Sequence, residues 1–71
     1  MTLVNKNVVV NGRRTSIRLE PEFWDALADI ARRETTDVNR IVSRADRLGA
    51  GGRTGAVRVF ILKYFRNRTE A

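Results

Sequence analysis

Arg13-Arg14-Thr15-Ser16-Ile17-Arg18-Leu19-Glu20-Pro21-Glu22-Phe23-Trp24-Asp25-Ala26-Leu27 decides the fold of this chain. Its first half alternates. In an extended strand Thr15, Ile17 and Leu19 share one face, and Arg14, Ser16 and Arg18 share the other. Its second half changes period. Pro21 suits a first helical position, where no N–H is needed, and Glu22 suits the positive end of the helix dipole. Phe23, Leu27, Ile30 and Ala31 then form a stripe at helical spacing, with Trp24 and Ala28 on its flank. A strand that carries arginines on one face therefore runs directly into an amphipathic helix.

Working back toward the start, Asn11-Gly12 lies between Val8-Val9-Val10 and the strand, which is a strong hairpin signal. A two-residue loop at Asn11-Gly12 sets Val10 opposite Arg13, Val8 opposite Thr15, Lys6 opposite Ile17 and Val4 opposite Leu19. One face of the hairpin then gathers Val4, Val8, Val10, Thr15, Ile17 and Leu19. The other gathers Asn5, Asn7, Arg14, Ser16 and Arg18. Lys6 and Val9 break the pattern. A slip by one residue would invert the whole sorting, so the pattern supports this register.

Working forward, the first helix is expected over residues 21–34. Thr35-Thr36-Asp37 interrupts it with poor helix formers that make good N-caps. Val38, Ile41, Val42, Ala45 and Leu48 mark a second helix over 37–48, which Gly49-Ala50-Gly51-Gly52 stops. A third segment, 54–66, is apolar over most of its circumference: Ala56, Val57, Val59, Phe60, Ile61, Leu62, Tyr64 and Phe65. The β-branched run 57–61 also suits a strand, but spacing of three and four favours a helix. A helix so apolar is expected to be covered on more than one side, by its own core and by a partner subunit. The tail from Asn67 to Ala71 is expected to fray.

With 71 residues the chain is expected to form one domain, residues 1–71, of α+β class. A domain of this size is marginal without a staple. Cysteine and histidine are both absent. Disulfides, common zinc sites and every catalytic constellation built on those residues are thereby excluded, leaving oligomerisation as the expected staple. Nothing resembles a phosphate loop, and no carboxylate pair stands out, so neither an enzyme nor a cofactor is expected. Net charge is +6 and the pI about 11.3. Twelve of the fourteen basic residues are arginine, the side chain best suited to phosphates and guanine edges. The expected partner is a polyanion. No transmembrane-length apolar run or signal peptide is evident, which points to the cytoplasm rather than a membrane.

Strand, helix and capped helix at this spacing resemble the ribbon-helix-helix family of bacterial DNA-binding proteins. The likeness spans roughly 13–48 and is best at Arg14-Thr15-Ser16-Ile17-Arg18-Leu19, at Pro21-Glu22 and at Asp37-Val38-Asn39. The N-terminal hairpin and apolar third helix look like a subfamily that extends this core.

The resemblance implies a homodimer, or a tetramer built from it, whose paired strands enter the major groove of DNA. Arg14, Ser16 and Arg18 would then contact bases. Asp37, Val38, Asn39 and Arg40 would hold phosphate, with Asn5, Asn7, Arg13 and Arg44 as candidates for further contacts. Asp37 departs from an uncharged cap and brings a negative charge beside that phosphate. Ile17, Leu19, Trp24, Ile41, Phe60 and Tyr64 would supply the dimer interface. The implied role is a transcriptional regulator, such as a repressor, acting in the cytoplasm on the nucleoid.

Two other readings stay open. One is a protein-interaction module, either an adaptor or an antitoxin, although the five residues after Arg66 leave little room for a toxin-binding tail. The other is an architectural DNA binder that responds to a nucleotide ligand through Arg40 and Arg44. A retained hairpin also raises a steric question. Two copies would present four strands, at about 4.8 Å spacing, to a groove about 12 Å wide.

Overall fold

The computed structural model describes residues 2–49 and 52–69. It comprises strands β1 (Val4–Val10) and β2 (Arg13–Leu19) and helices α1 (Pro21–Arg33), α2 (Val38–Leu48) and α3 (Arg53–Thr69). The strands form a two-stranded antiparallel hairpin in the register read from the sequence, with Val4 opposite Leu19 and Val10 opposite Arg13. Asn11 (φ 52°) and Gly12 (φ 84°) both take the left-handed region, as a type I′ turn requires. Pro21 opens α1, and the Glu20 carbonyl accepts from the N–H groups of Phe23 and Trp24. α1 ends through Thr35, which lies at φ 54°, with the Thr36 N–H bonded back to the Ala31 carbonyl at 2.8 Å. The 57–61 run is helical, and α3 continues to Thr69, past the expected end at residue 66. Ala50, Gly51, Glu70 and Ala71, which belong to the expected third break and the frayed tail, lie outside the described residues.

The three helices cover one face of the hairpin. Val8, Val10, Ile17 and Leu19 from the strands meet Trp24, Leu27, Ile30, Ile41, Val42 and Val57 in one buried cluster. Leu19, Leu27, Ile30, Ile41, Val42 and Val57 are fully enclosed. Lys6, the charged exception on the core face, stays exposed at the rim with its ammonium 5.3 Å from the centre of the Trp24 ring. The Trp24 indole N–H donates to the Val4 carbonyl at 2.9 Å, so the only tryptophan pins the start of β1 to α1.

One expected core position is corrected. Leu48 is 75% exposed, because it ends α2 at the rim of a groove against α3. Gly49 beside it is a packing position. A Cβ there would collide with the Cβ of Ala56, so only glycine lets α3 come this close.

Candidate nucleic-acid interface

The face of the hairpin opposite the helices is uncovered. Asn5, Asn7, Val9, Arg14, Ser16 and Arg18 are all exposed there. The alternation of β2 puts Arg14 and Arg18 on either side of Ser16, and the register sets Arg14 across from Val9, Ser16 from Asn7 and Arg18 from Asn5. The Ser16 hydroxyl donates to Asn7 Oδ1 at 2.9 Å, which leaves the Asn7 amide nitrogen as an outward donor. No carboxylate lies on either strand. Arg13 is placed differently. It pairs with Val10, so its side chain leaves from the helix side at the hairpin tip.

Charge is segregated. Five of the eight acidic residues lie between Glu20 and Glu34, on and around α1, behind the sheet. Three of them pair with arginines: Asp29 takes Arg32 at 3.0 Å and Arg33 at 3.2 Å, Glu20 takes Arg58 at 2.8 Å, and Glu34 faces Arg68 at 4.0 Å. The hydrogen bond from Arg58 holds the Glu20 carboxyl below its ordinary range, and that from Arg32 does the same for Asp29. Glu34 accepts from the Tyr64 hydroxyl at 2.7 Å, which raises the Tyr64 pKa. Arg53 is paired with Asp46. By contrast, Arg13, Arg14, Arg18, Arg44 and Arg47 have no ion pair among the described residues. All five lie on the strands or on α2.

The start of α2 is engaged within the chain. Asp37 is its N-cap, and its carboxylate accepts from the Arg40 N–H at 2.9 Å and faces Arg40 Nε at 3.8 Å. Asn39 Oδ1 accepts from the Val9 N–H at 3.0 Å. One turn on, the Ser43 hydroxyl accepts from the Asn11 N–H at 3.1 Å and donates to the Val9 carbonyl at 3.4 Å. The side chains of Asp37 and Asn39, expected at a phosphate, thus cap the helix and hold the turn end of the outer edge of β1. The backbone amides of Val38 and Asn39 remain without partners among the described residues.

Next to them opens a groove of about 590 Å³ between the hairpin tip and α2, where Arg40, Arg44 and Arg47 line one wall and Asn11 and Gly12 the other. From the sequence, Arg47 reads with Arg40 and Arg44 as a solvated face with phosphate contact as the lesser reading, and Asn11-Gly12 reads only as a turn. The 40–44–47 spacing was the available signal, but on a basic helix it is indistinguishable from a solvated face.

Of the residues expected at a dimer interface, Ile17, Leu19, Trp24 and Ile41 lie in the chain's own core, and Phe60 and Tyr64 are half-buried.

The fold is shared with a solved structure, that of an uncharacterized protein from Bordetella pertussis Tohama I. The two are 31% identical with a TM-score of 0.79 over 97% of this chain. This chain spans 60% of the length of that one. No curated protein matches. The model of the ribbon-helix-helix domain matches residues 3–65, from the hairpin through most of α3, and the chain belongs to the ribbon-helix-helix family.

Proposed function

We propose that this chain is a dimeric, sequence-specific DNA-binding protein that regulates transcription in the cytoplasm. Ribbon-helix-helix domains are in general DNA-binding regulators that dimerise, and they are typically not enzymes. The observation that carries the reading here is the segregation of charge. Of the arginines with no ion pair among the described residues, Arg14 and Arg18 lie on the open sheet face, Arg44 and Arg47 on α2 and Arg13 at the hairpin tip, while five of the eight acids lie behind the sheet around α1. Such a field orients the sheet toward a polyanion and accelerates encounter with it.

In this reading β2 of each copy lies in the major groove. Arg14 and Arg18 present planar forks to guanine O6 and N7, each worth about 1–3 kcal/mol of discrimination. Ser16 sits between them as a short, less selective contact. β1 need not leave. It is tied by Trp24, Asn39 and Ser43, and it runs over the groove wall, where the amides of Asn5 and Asn7 meet phosphate oxygens. Arg44 and Arg47 extend that backbone contact past the hairpin tip. The Asp37 carboxylate weakens the usual helix-start anchor, so the arginines farther along α2 take over part of its role.

Selection of genomic DNA fragments by the purified protein, at physiological salt, tests this. The expected result is a short palindromic site bound by the wild type and lost in Arg14→Ala/Arg18→Ala. Retained selection by that variant removes the strand from recognition. Capture of bulk DNA without a motif would replace the regulator with an architectural binder.

A further inference from the structure

The core is closed within one copy, yet an apolar strip remains outside it. On α3, Val59 is 49% and Leu62 is 56% exposed. With Phe23 of α1 and Phe65 they border an apolar depression of about 370 Å³. One turn before Val59, a Cβ at Gly55 would meet nothing within 4 Å. A contiguous exposed apolar strip on so small a protein marks an interaction surface.

The position of the strip points to its occupant. α2 is fastened to the edge of β1, whereas α3 is fastened to β2: Arg53 donates to Thr15 Oγ1 at 3.3 Å, and Arg58 binds Glu20 directly after the strand. The strip and the free edge of β2 therefore flank the same half of the molecule. That edge is also self-complementary. The turn makes Val10 and Arg13 the hydrogen-bonded pair that closes the hairpin, so the outward N–H and C=O groups of β2 belong to Arg14, Ser16 and Arg18. None of them has a partner among the described residues. They are symmetric about Ser16, and a two-fold axis there joins two copies of the strand.

Charge then requires another source of attraction. The same axis sets Arg14 of one copy across from Arg18 of the other, and like charges directly opposite are unfavourable. Each copy also carries +6. Strand pairing alone brings these charges together without offsetting them.

We propose that the apolar strip of α3, centred on Val59 and Leu62, is the surface that holds two copies of this chain together beside the paired β2 edges. This deepens the dimer on which the proposed function rests. It takes Ile17, Leu19, Trp24 and Ile41, which lie in the chain's own core, out of the expected interface and centres its apolar part on Val59 and Leu62 of the third helix.

The test is the mass of the protein in solution without DNA, beside a separate DNA-binding measurement. The wild type is expected at twice 8.1 kDa. Leu62→Glu is expected to be monomeric with an unchanged circular dichroism spectrum, its dimer dissociation constant raised about 100-fold by one lost hot spot per copy. The chain has no cysteine, so Leu62→Cys gives a second reading: a short bis-maleimide should link it into dimers, whereas Asp25→Cys on the exposed side of α1 should stay single. A monomeric wild type overturns the proposal. So does a Leu62→Glu dimer of undiminished stability, or a dimeric Leu62→Cys that does not crosslink. A Leu62-dependent dimer that ignores DNA keeps this interface and overturns the DNA reading instead.

Discussion

The two edges of the hairpin differ at the end near the turn. Along β1 the outward N–H groups of Val9 and Asn11 are taken by Asn39 and Ser43 of α2, and the Val9 carbonyl accepts from the same serine. Along β2 the outward groups of Arg14, Ser16 and Arg18 are left open. An open edge is a template for any passing strand, and proteins usually blunt it with charge or cover it. Here the turn end of one edge, at Val9 and Asn11, is covered by the chain's own helix, while the outward backbone groups of Asn5 and Asn7 have no partner among the described residues. The other edge is guarded by two arginines, which discourage indiscriminate pairing and become an asset once a polyanion lies across them. The two strands therefore play different parts. β1 is tied into the domain at its turn end, and in the proposed function β2 is kept for a second copy and for DNA.

The largest expected effect comes from closing the open edge. Ser16→Pro removes one outward N–H and the exposed side-chain bond to Asn7 but no backbone hydrogen bond of the hairpin, so the single chain should still fold. Dimerisation and DNA binding should both fall by two orders of magnitude or more, measured by sedimentation and fluorescence anisotropy. An equally stable dimer would show that the copies do not meet at β2.

Next is the close contact that seats α3 on the β2 side. Gly49→Ala drives a methyl into Ala56 and should cost about 1–3 kcal/mol in urea unfolding, as overpacking does. A smaller loss is expected from opening the other edge. Asn39→Ala/Ser43→Ala frees backbone groups that water can reach, so each lost bond should cost about 0.5–1.5 kcal/mol. Amide hydrogen exchange at Val9 and Asn11 should quicken, while exchange at Arg14 and Arg18 stays as it was.

The smallest effect is that of acid. Glu20 and Asp29 have carboxyl groups held below their ordinary values of 4.5 and 3.8 by Arg58 and Arg32. The folded state then binds fewer protons than the unfolded one near pH 4. The stability these pairs contribute is present above those values and is lost as pH falls through the lowered ones. A thermal melt series from pH 6 to pH 3 should show a modest decline that Glu20→Gln flattens, because Glu20 is the tie between α3 and the end of β2.

Much of the contrast between the two edges was legible in the residues. The Asn11-Gly12 turn and the alternation on either side of it specify the register, since a slip of one residue would set the apolar faces of the two strands on opposite sides of the hairpin. Pro21 marks the start of α1, and the stripe Ile41, Val42, Ala45 marks the inner side of α2. Asn39 and Ser43 could not be read as a strand clamp. They are ordinary polar residues until the helix is laid against β1, and only then do their oxygens meet amides 30 or more residues away. The N-cap role of Asp37 was legible in its residue type and place before the helix. Hydrophobicity marked Ile17, Leu19, Trp24 and Ile41 for burial without saying which copy provides the cover. In the case of Leu48 it did not foresee that a helix end can point outward. Gly49 read as a helix stop, but a contact with Ala56 is invisible before the helices are placed.

DNA binding by the open face of β2 is tested most directly by fluorescence anisotropy with a selected DNA site. The titration runs across a series of salt concentrations for the wild type and for Arg14→Ala/Arg18→Ala. Wild-type affinity is expected to fall steeply as salt rises. The variant is expected to lose at least about 100-fold with its fold intact, given about 1–3 kcal/mol per arginine. Equal affinity and an equal salt slope for the two proteins would contradict recognition by this face.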